Sequence, residues 1–177
     1  MSTRPRALPA TVPPSFASAL PLRFHAATLA VAVVAGLATF GTFTVSLAAP
    51  AMFLGWIAFA ISGTTMRQGV ADIASFVLGV AFGIGTALVI NLLTPALGSA
   101  ATPLAVTGIV VLVLSLRKMA PFNNALAYFL GLTSFFYSAL PPAGASFAVL
   151  ATAGIIGAGS AALAGLLQAR LERGDRP

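Results

Sequence analysis

The side chains that most often carry chemistry are scarce in this chain. It has no cysteine and a single histidine, His25, and its only acids are Asp72, Glu172 and Asp175. General acid–base catalysis and metal binding both need several such groups in one pocket. Two of the acids lie near the C-terminus, which leaves Asp72 alone near the apolar part of the sequence. We therefore expect no catalytic residue, no metal site and no cofactor, and predict that the protein is not an enzyme.

Hydroxyl groups are the most frequent remaining polar groups, and two clusters of them stand out. The first cluster is Ser62, Thr64 and Thr65, and the second is Thr133, Ser134, Tyr137 and Ser138. In one interpretation these hydroxyls donate to carbonyl groups of their own helix or lie at lipid headgroups. In the other they line a narrow polar pathway through the protein.

Asp72 follows Arg67 closely, at the predicted start of a helix. A carboxylate in a first helical turn is stabilised by the helix dipole, so capping is one interpretation. The functional alternative is a cytoplasmic gate formed by Arg67 and Asp72, or a proton-coupling carboxylate.

The distribution of charge predicts the elements that hold these groups. Only 7% of residues are charged, and the mean hydropathy is +1.02, whereas a soluble domain has roughly 25% charged residues. Three blocks of 43, 44 and 51 residues (24–66, 73–116 and 119–169) contain no charge. About 20 apolar residues cross a bilayer as a helix, so each block has the length of two spans.

Proline lies near the middle of each block, at Pro50, Pro95 and Pro141–Pro142, and predicts a break there. The fold class is therefore an all-α membrane protein with six transmembrane helices. We place the helices at 26–48, 51–66, 70–93, 100–116, 122–140 and 143–169.

The basic residues predict the orientation of the six spans. With the N-terminus in the cytoplasm, all nine Lys and Arg residues fall in cytoplasmic segments, and the three outer turns hold none. Basic residues in short loops face the cytoplasm. Both termini are thus predicted inside, and the net charge of +6 reflects topology rather than nucleic-acid binding. Residues 1–24 form a Pro-rich, disordered cytoplasmic tail, 25–169 the membrane domain and 170–177 a short charged tail. A cleaved signal peptide ending near Ala49–Ala51 is the alternative for the N-terminal region.

Small residues predict close helix packing. Gly79 and Gly83 are spaced four apart on the third helix, and Gly154 and Gly157 lie on the sixth. They permit close backbone approach within one chain, or a homodimer seam through Gly79 and Gly83. A shift of 71 residues aligns the third helix with the sixth, with six identities across positions 73–90. This indicates a possible 3+3 inverted repeat, an arrangement common in transporters.

Three segments carry a family resemblance. Leu54–Gly63, Gln68–Gly69 and Ala125–Phe136 resemble the YcdZ-like bacterial inner-membrane proteins, domain-of-unknown-function family 1097. The resemblance covers roughly residues 26–168 and implies a bacterial inner-membrane location, with no site residues to carry over. The layout is also similar to the membrane half of the fusaric-acid-resistance and aromatic-acid exporter families.

These features predict a homo-oligomeric, multi-pass inner-membrane protein in contact with lipid. The leading hypothesis is a passive channel or facilitator for a small solute whose identity is open, because pumps usually need a mid-membrane charge and none is predicted. A non-transporting scaffold or partner subunit is the alternative, and an exporter of small organic acids is the third.

Overall fold

The protein is described here by a computed structural model that covers residues 22–61 and 65–173. Its described part contains helices and no strand, which confirms the all-α prediction for these residues. The six α-helices are α1 (Leu22–Thr44), α2 (Ala49–Ala60), α3 (Met66–Leu97), α4 (Ala101–Leu116), α5 (Ala125–Ser138) and α6 (Gly144–Arg173). The predicted N-terminal tail, except for its last three positions, lies outside the described residues.

The helix ends follow local sequence, with one exception. Pro50 lies in the first turn of α2, where its missing N–H costs no helical hydrogen bond. Asn124 caps α5, since its side-chain oxygen accepts from the backbone N–H of Leu126 at 3.2 Å. The break predicted at Pro95 is wrong: α3 continues through Pro95 to Leu97. The chain reverses at Gly98, whose φ of +53° favours glycine.

The helices are long and apolar enough for a membrane protein. Three described helical segments qualify as spans by length and composition: α1, α6 and the stretch Met66–Leu116, which contains α3, the turn at Gly98 and α4. Large apolar side chains point outward along α1, with Leu37 66% exposed and Phe40 69% exposed. Such a surface is unfavourable in water and suits lipid. We conclude that this is a membrane protein.

Two helices, α2 and α5, are short. They have 12 and 14 residues, which at 1.5 Å per residue gives lengths of about 18 and 21 Å. Both are apolar, yet neither alone covers the roughly 30 Å hydrocarbon core. They are also among the more deeply enclosed elements, since α2 packs on α6 and α5 packs on α3.

Glycines bring these helices into backbone contact. On α3, a Cβ at Gly79 would collide with the backbone of Tyr128, and one at Gly83 would press on Phe135. Gly79 precedes Gly83 on α3, and their contacts Tyr128 and Phe135 follow in the same order on α5, so the two helices run parallel. Gly131 of α5 completes the contact, since a Cβ there would collide with the carbonyl oxygen of Phe76.

The second close contact joins α2 and α6 in the same manner. A Cβ at Gly55 would collide with the backbone of Gly154, and a Cβ at Gly157 would collide with the carbonyl oxygen of Met52. Gly154 also lies directly against the ring of Phe76, which links this pair to α3. α1 lies mainly on α6, and α4 turns back along α3. α2, α3, α5 and α6 thus share one hydrophobic core, with α1 packed on α6 and α4 packed on α3.

The predicted homodimer seam through Gly79 and Gly83 is wrong. Both residues are buried against α5 of the same chain, so this face of α3 is not open to a second copy. The glycines act within the chain, which was the alternative. Homo-oligomerisation itself stays a prediction.

Candidate functional site

A cavity with several hydroxyl groups in an otherwise apolar wall lies where the C-terminal end of α5 meets the start of α2. It has a volume of about 360 Å³. The wall from α5 includes Ser134, Tyr137 and Ser138, which are spaced i, i+3, i+4 and therefore share one helix face. The opposite wall comes from the turn before α2, the first residues of α2 and two residues of α6. These residues are Ser46, Leu47, Ala48, Pro50, Ala51, Val149 and Leu150, and Leu140 closes the α5 side.

Ser134 is the exceptional residue of this cavity. It is only 3% exposed, and its Oγ has no hydrogen-bond partner among the described residues. Other helical hydroxyls here donate to the carbonyl four residues earlier, as Thr42 does to Ala38 at 2.7 Å and Ser75 to Ala71 at 2.9 Å. A buried hydroxyl without a partner costs stability, and a hydrogen bond to a bound water or ligand is one way in which such a group is satisfied.

The other residues of the second predicted cluster lie in different surroundings. The Ser138 hydroxyl donates to the carbonyl oxygen of Phe135 at 2.7 Å and accepts from the backbone N–H of Leu140 at 3.3 Å, so it stabilises the end of α5. Tyr137 is 73% exposed at the cavity mouth. Thr133 is exposed and is not part of the cavity wall. The structure thus brings three of the four residues together.

The first predicted cluster lies at the opposite end of the molecule. Ser62 and Thr64 fall outside the described residues. Thr65 is the N-cap of α3, because its Oγ accepts from the backbone N–H of Gln68 at 3.2 Å. It also borders a second cavity of about 540 Å³, together with Arg67, Gln68, Ala120, Pro121 and Asn123.

Asp72 does not occupy the position that the sequence suggested. Because Thr65 caps α3, Asp72 lies in the second turn, and the capping interpretation is wrong. The carboxylate is fully buried, and its Oδ1 accepts a hydrogen bond from Gln68 Nε2 at 3.1 Å. Arg67, its proposed partner in a gate, is exposed at the second cavity.

Gln68 is a site residue that the sequence reasoning missed. Its Nε2 donates to Asp72 and also reaches the carbonyl oxygen of Pro121 at 3.4 Å, so it joins α3 to the loop before α5. The available signal was the spacing of four between Gln68 and Asp72, which puts the two side chains on one helix face.

An apolar core separates the two cavities. Its fully buried members include Met52 of α2, Phe76 and Val80 of α3 and Leu150 of α6. On α3, Phe76 and Val80 lie between Gln68 and Gly83, and Gly83 contacts Phe135, the neighbour of Ser134. No group of three or more His, Cys, Asp or Glu side chains that could hold a metal occurs among the described residues.

Comparison with known families shows to which family this chain belongs. A family model described as "Protein of unknown function (DUF1097)" matches residues 28–165. The chain belongs to the DUF1097 family. No match was found among curated proteins or among solved structures.

The match to DUF1097 runs from α1 to α6 and so includes both short helices and both cavities. It confirms the resemblance to domain-of-unknown-function family 1097, while the YcdZ-like name stays a prediction. The DUF1097 description assigns no residue roles, and the resemblance to the exporter families stays a prediction.

Proposed function

We propose that this protein is a facilitator that lets a small solute cross a bacterial inner membrane down its gradient. The observation that carries the proposal is the cavity between α5 and α2, with the buried, unpartnered hydroxyl of Ser134 in its wall. Polar groups converging on an otherwise apolar cavity are the usual form of a small-molecule site.

Six spans with both termini in the cytoplasm are part of this proposal. α3 runs parallel to α5, and the start of α2 lines the same cavity as Val149 near the start of α6, as expected if successive helices alternate in direction. Arg67, Arg117 and Lys118 then lie at one end of the molecule, and the cavity of Ser134 opens at the other. Under the positive-inside rule, the end with the arginines faces the cytoplasm.

The pairing of the helices supports an inverted repeat of α1–α3 and α4–α6. Exchange of the halves turns the α2–α6 contact into the α5–α3 contact, and these are the two glycine-mediated contacts. The 71-residue shift also relates the two cavities, because it carries Pro50 to Pro121 and Arg67 to Ser138. Short helices at corresponding positions of two halves are a pointer to a transport site, and here they are α2 and α5.

The apolar core favours a facilitator that changes conformation over a permanently open channel. Phe76 and Val80 belong to the buried core and lie on α3 between Gln68 and the level of Ser134, and Leu150 of the same core forms part of the cavity wall. Apolar side chains therefore stand between a solute in the Ser134 cavity and the opposite end of the molecule. The cavity has Pro50 of the first half, α1–α3, and Ser134 of the second half, α4–α6, in its wall. Rocking of one half against the other would close this cavity and open the one at Arg67.

The absence of charge in the cavity wall supports passive transport. None of the described residues that line the Ser134 cavity carries a charge at neutral pH, whereas proton-coupled carriers usually have a carboxylate on the pathway. The buried carboxylate of Asp72 lies toward the other end and is held by Gln68.

The test uses purified protein in liposomes and a single cysteine, since the natural chain has none. Ser138→Cys places a thiol in the cavity, and Thr133→Cys places one on an exposed face of the same helix. Flux of a panel of small neutral and anionic solutes is measured before and after a bulky thiol reagent is added. We expect the reagent to block flux through Ser138→Cys and to leave Thr133→Cys unchanged.

Two outcomes would contradict the proposal. If no solute in the panel moves faster than through empty liposomes, the scaffold alternative is favoured. If alkylation blocks both variants equally, the cavity is not the route. Persistence of flux after collapse of the proton gradient is the expected result for a passive facilitator.

A further inference from the structure

We infer that the cavity at the end of α5 binds a small uncharged polyol. The inference rests on the proposed function, because it names the solute class of the same site. It begins from the composition of the wall, in which Ser46, Ser134, Tyr137 and Ser138 supply hydroxyl groups and no side chain supplies a full charge. A buried ion without an opposite charge is strongly unfavourable, so this wall is matched to a neutral solute.

Ser134 requires a partner that can approach from inside the cavity. Its hydroxyl is 3% exposed and makes no hydrogen bond within the described residues, whereas Ser138, one turn later, is already bonded to Phe135 and Leu140. A hydroxyl has one proton to donate and two lone pairs to accept with. A solute hydroxyl satisfies it in either direction, which a group that is only a donor or only an acceptor does not.

Two helix ends also meet at this cavity. α2 begins there with no side-chain cap from Ala48 and with Pro50, which has no N–H, in its first turn, so Ala49 and Ala51 carry the N–H groups that a helix start leaves without a helical partner. α5 ends at the same cavity, with Ala139 in the left-handed conformation after Ser138, and the last carbonyl groups of a helix also lack helical partners. A polyol presents donors and acceptors together and so suits both walls.

Size and the apolar part of the wall limit the solute. At about 30 Å³ for each water-sized group, the cavity of about 360 Å³ holds about twelve such groups. A four-carbon polyol has eight non-hydrogen atoms and fits with room for a few waters. Leu47, Val149 and Leu150 line the remaining surface and would contact the C–H faces of the carbon chain.

The experiment compares erythritol with erythronate, which differ by one carboxylate in place of a hydroxymethyl group. The first measurement is binding: the rate at which a thiol reagent modifies Ser138→Cys is followed with each solute present. Protection needs occupancy of the cavity and no transport. We expect erythritol to slow the reaction in a concentration-dependent manner and erythronate to leave it unchanged.

The second measurement assigns Ser134. Added to the Ser138→Cys background, Ser134→Ala removes the unpartnered hydroxyl, and Ser134→Thr retains a hydroxyl. Loss of one hydrogen bond weakens binding by about three- to tenfold, so we expect a larger half-protecting concentration of erythritol for Ser134→Ala and recovery toward the original value for Ser134→Thr. Equal protection in all three proteins would overturn the role of Ser134.

The remaining outcomes separate this inference from the proposed function. Protection by erythronate and not by erythritol would contradict the solute class while leaving a facilitator in place. Accelerated water flow in liposomes with no protection by either solute would make water the occupant and overturn the inference. Protection by erythritol without flux in liposomes would support the site and contradict the facilitator.

Discussion

Gln68 donates from Nε2 to Asp72 Oδ1 at 3.1 Å, and the same nitrogen lies 3.4 Å from the carbonyl oxygen of Pro121. The buried carboxylate therefore orients an amide that spans from α3 to the loop before α5. This contact lies at the end of the molecule opposite Ser134. Asp72 therefore stabilises the fold at this end of the molecule and does not lie at the cavity that we propose for the solute.

We predict that Asp72→Ala is clearly more destabilising than Asp72→Asn. Alanine removes the acceptor of the Gln68 amide and leaves a buried space, and the unpaired amide costs about 1–3 kcal/mol. The asparagine oxygen still accepts from Gln68. Thermal unfolding in detergent measures the difference. If flux in liposomes is passive, Asp72→Asn retains it, and a selective loss of concentrative uptake would instead identify Asp72 as a proton-coupling group.

The contact between α3 and α5 predicts a strong effect at Gly79. In Gly79→Ile the new side chain meets the backbone of Tyr128, and backbone does not move aside as a flexible side chain does. We expect a loss of at least about 1–3 kcal/mol from overpacking. Gly85→Ile is the matched control on the same helix, because a Cβ there meets nothing within 4 Å. Similar melting temperatures for the two variants would contradict the parallel α3–α5 contact.

The contact between α2 and α6 predicts the corresponding result at Gly157. A side chain there meets the carbonyl oxygen of Met52, so Gly157→Ile should lower the yield of folded protein and its melting temperature. Two residues later, Gly159 has open space around its Cβ position. Gly159→Ile should therefore be neutral or slightly stabilising, since isoleucine has a better helix propensity than glycine. A reversed order of the two would place the α2–α6 contact elsewhere.

The six-span topology predicts opposite accessibility for Ser99 and Asn123. Both residues are exposed, Ser99 in the turn between α3 and α4 and Asn123 before α5. In intact cells, a membrane-impermeant thiol reagent should label Ser99→Cys at once and Asn123→Cys only after the membrane is permeabilised. Labelling of both without permeabilisation, or the reverse pattern, would argue against six spans with cytoplasmic termini.

Much of the fold follows from the sequence because it depends on local composition. Charge-free blocks, prolines and capping residues such as Asn124 act within a few residues of their own position, and six helices are found where these signals place them. The break predicted at Pro95 is wrong because α3 continues for only two residues beyond it, so the hydrogen bond that Pro95 cannot donate is lost from the last turn alone. Gly98 turns the chain instead, through its positive φ.

The sequence did not determine which face of each helix points inward. Lipid and protein core are both apolar, so a membrane helix carries little contrast between its buried and exposed sides. Thr133 and Ser134 are adjacent hydroxyl residues on α5, and only the tertiary structure separates them: one is exposed, and the other is buried at the cavity.

Long-range pairing was also decided by the tertiary structure alone. The sequence determined that Gly79 and Gly157 allow close approach, because a residue without a side chain permits it anywhere. It did not determine that the partners are Tyr128 and Met52, since those contacts depend on how α5 and α2 pack against helices distant in the chain. The same holds for Asp72, whose chemistry is set by its type but whose burial beside Gln68 results from the loop at Pro121 folding onto α3.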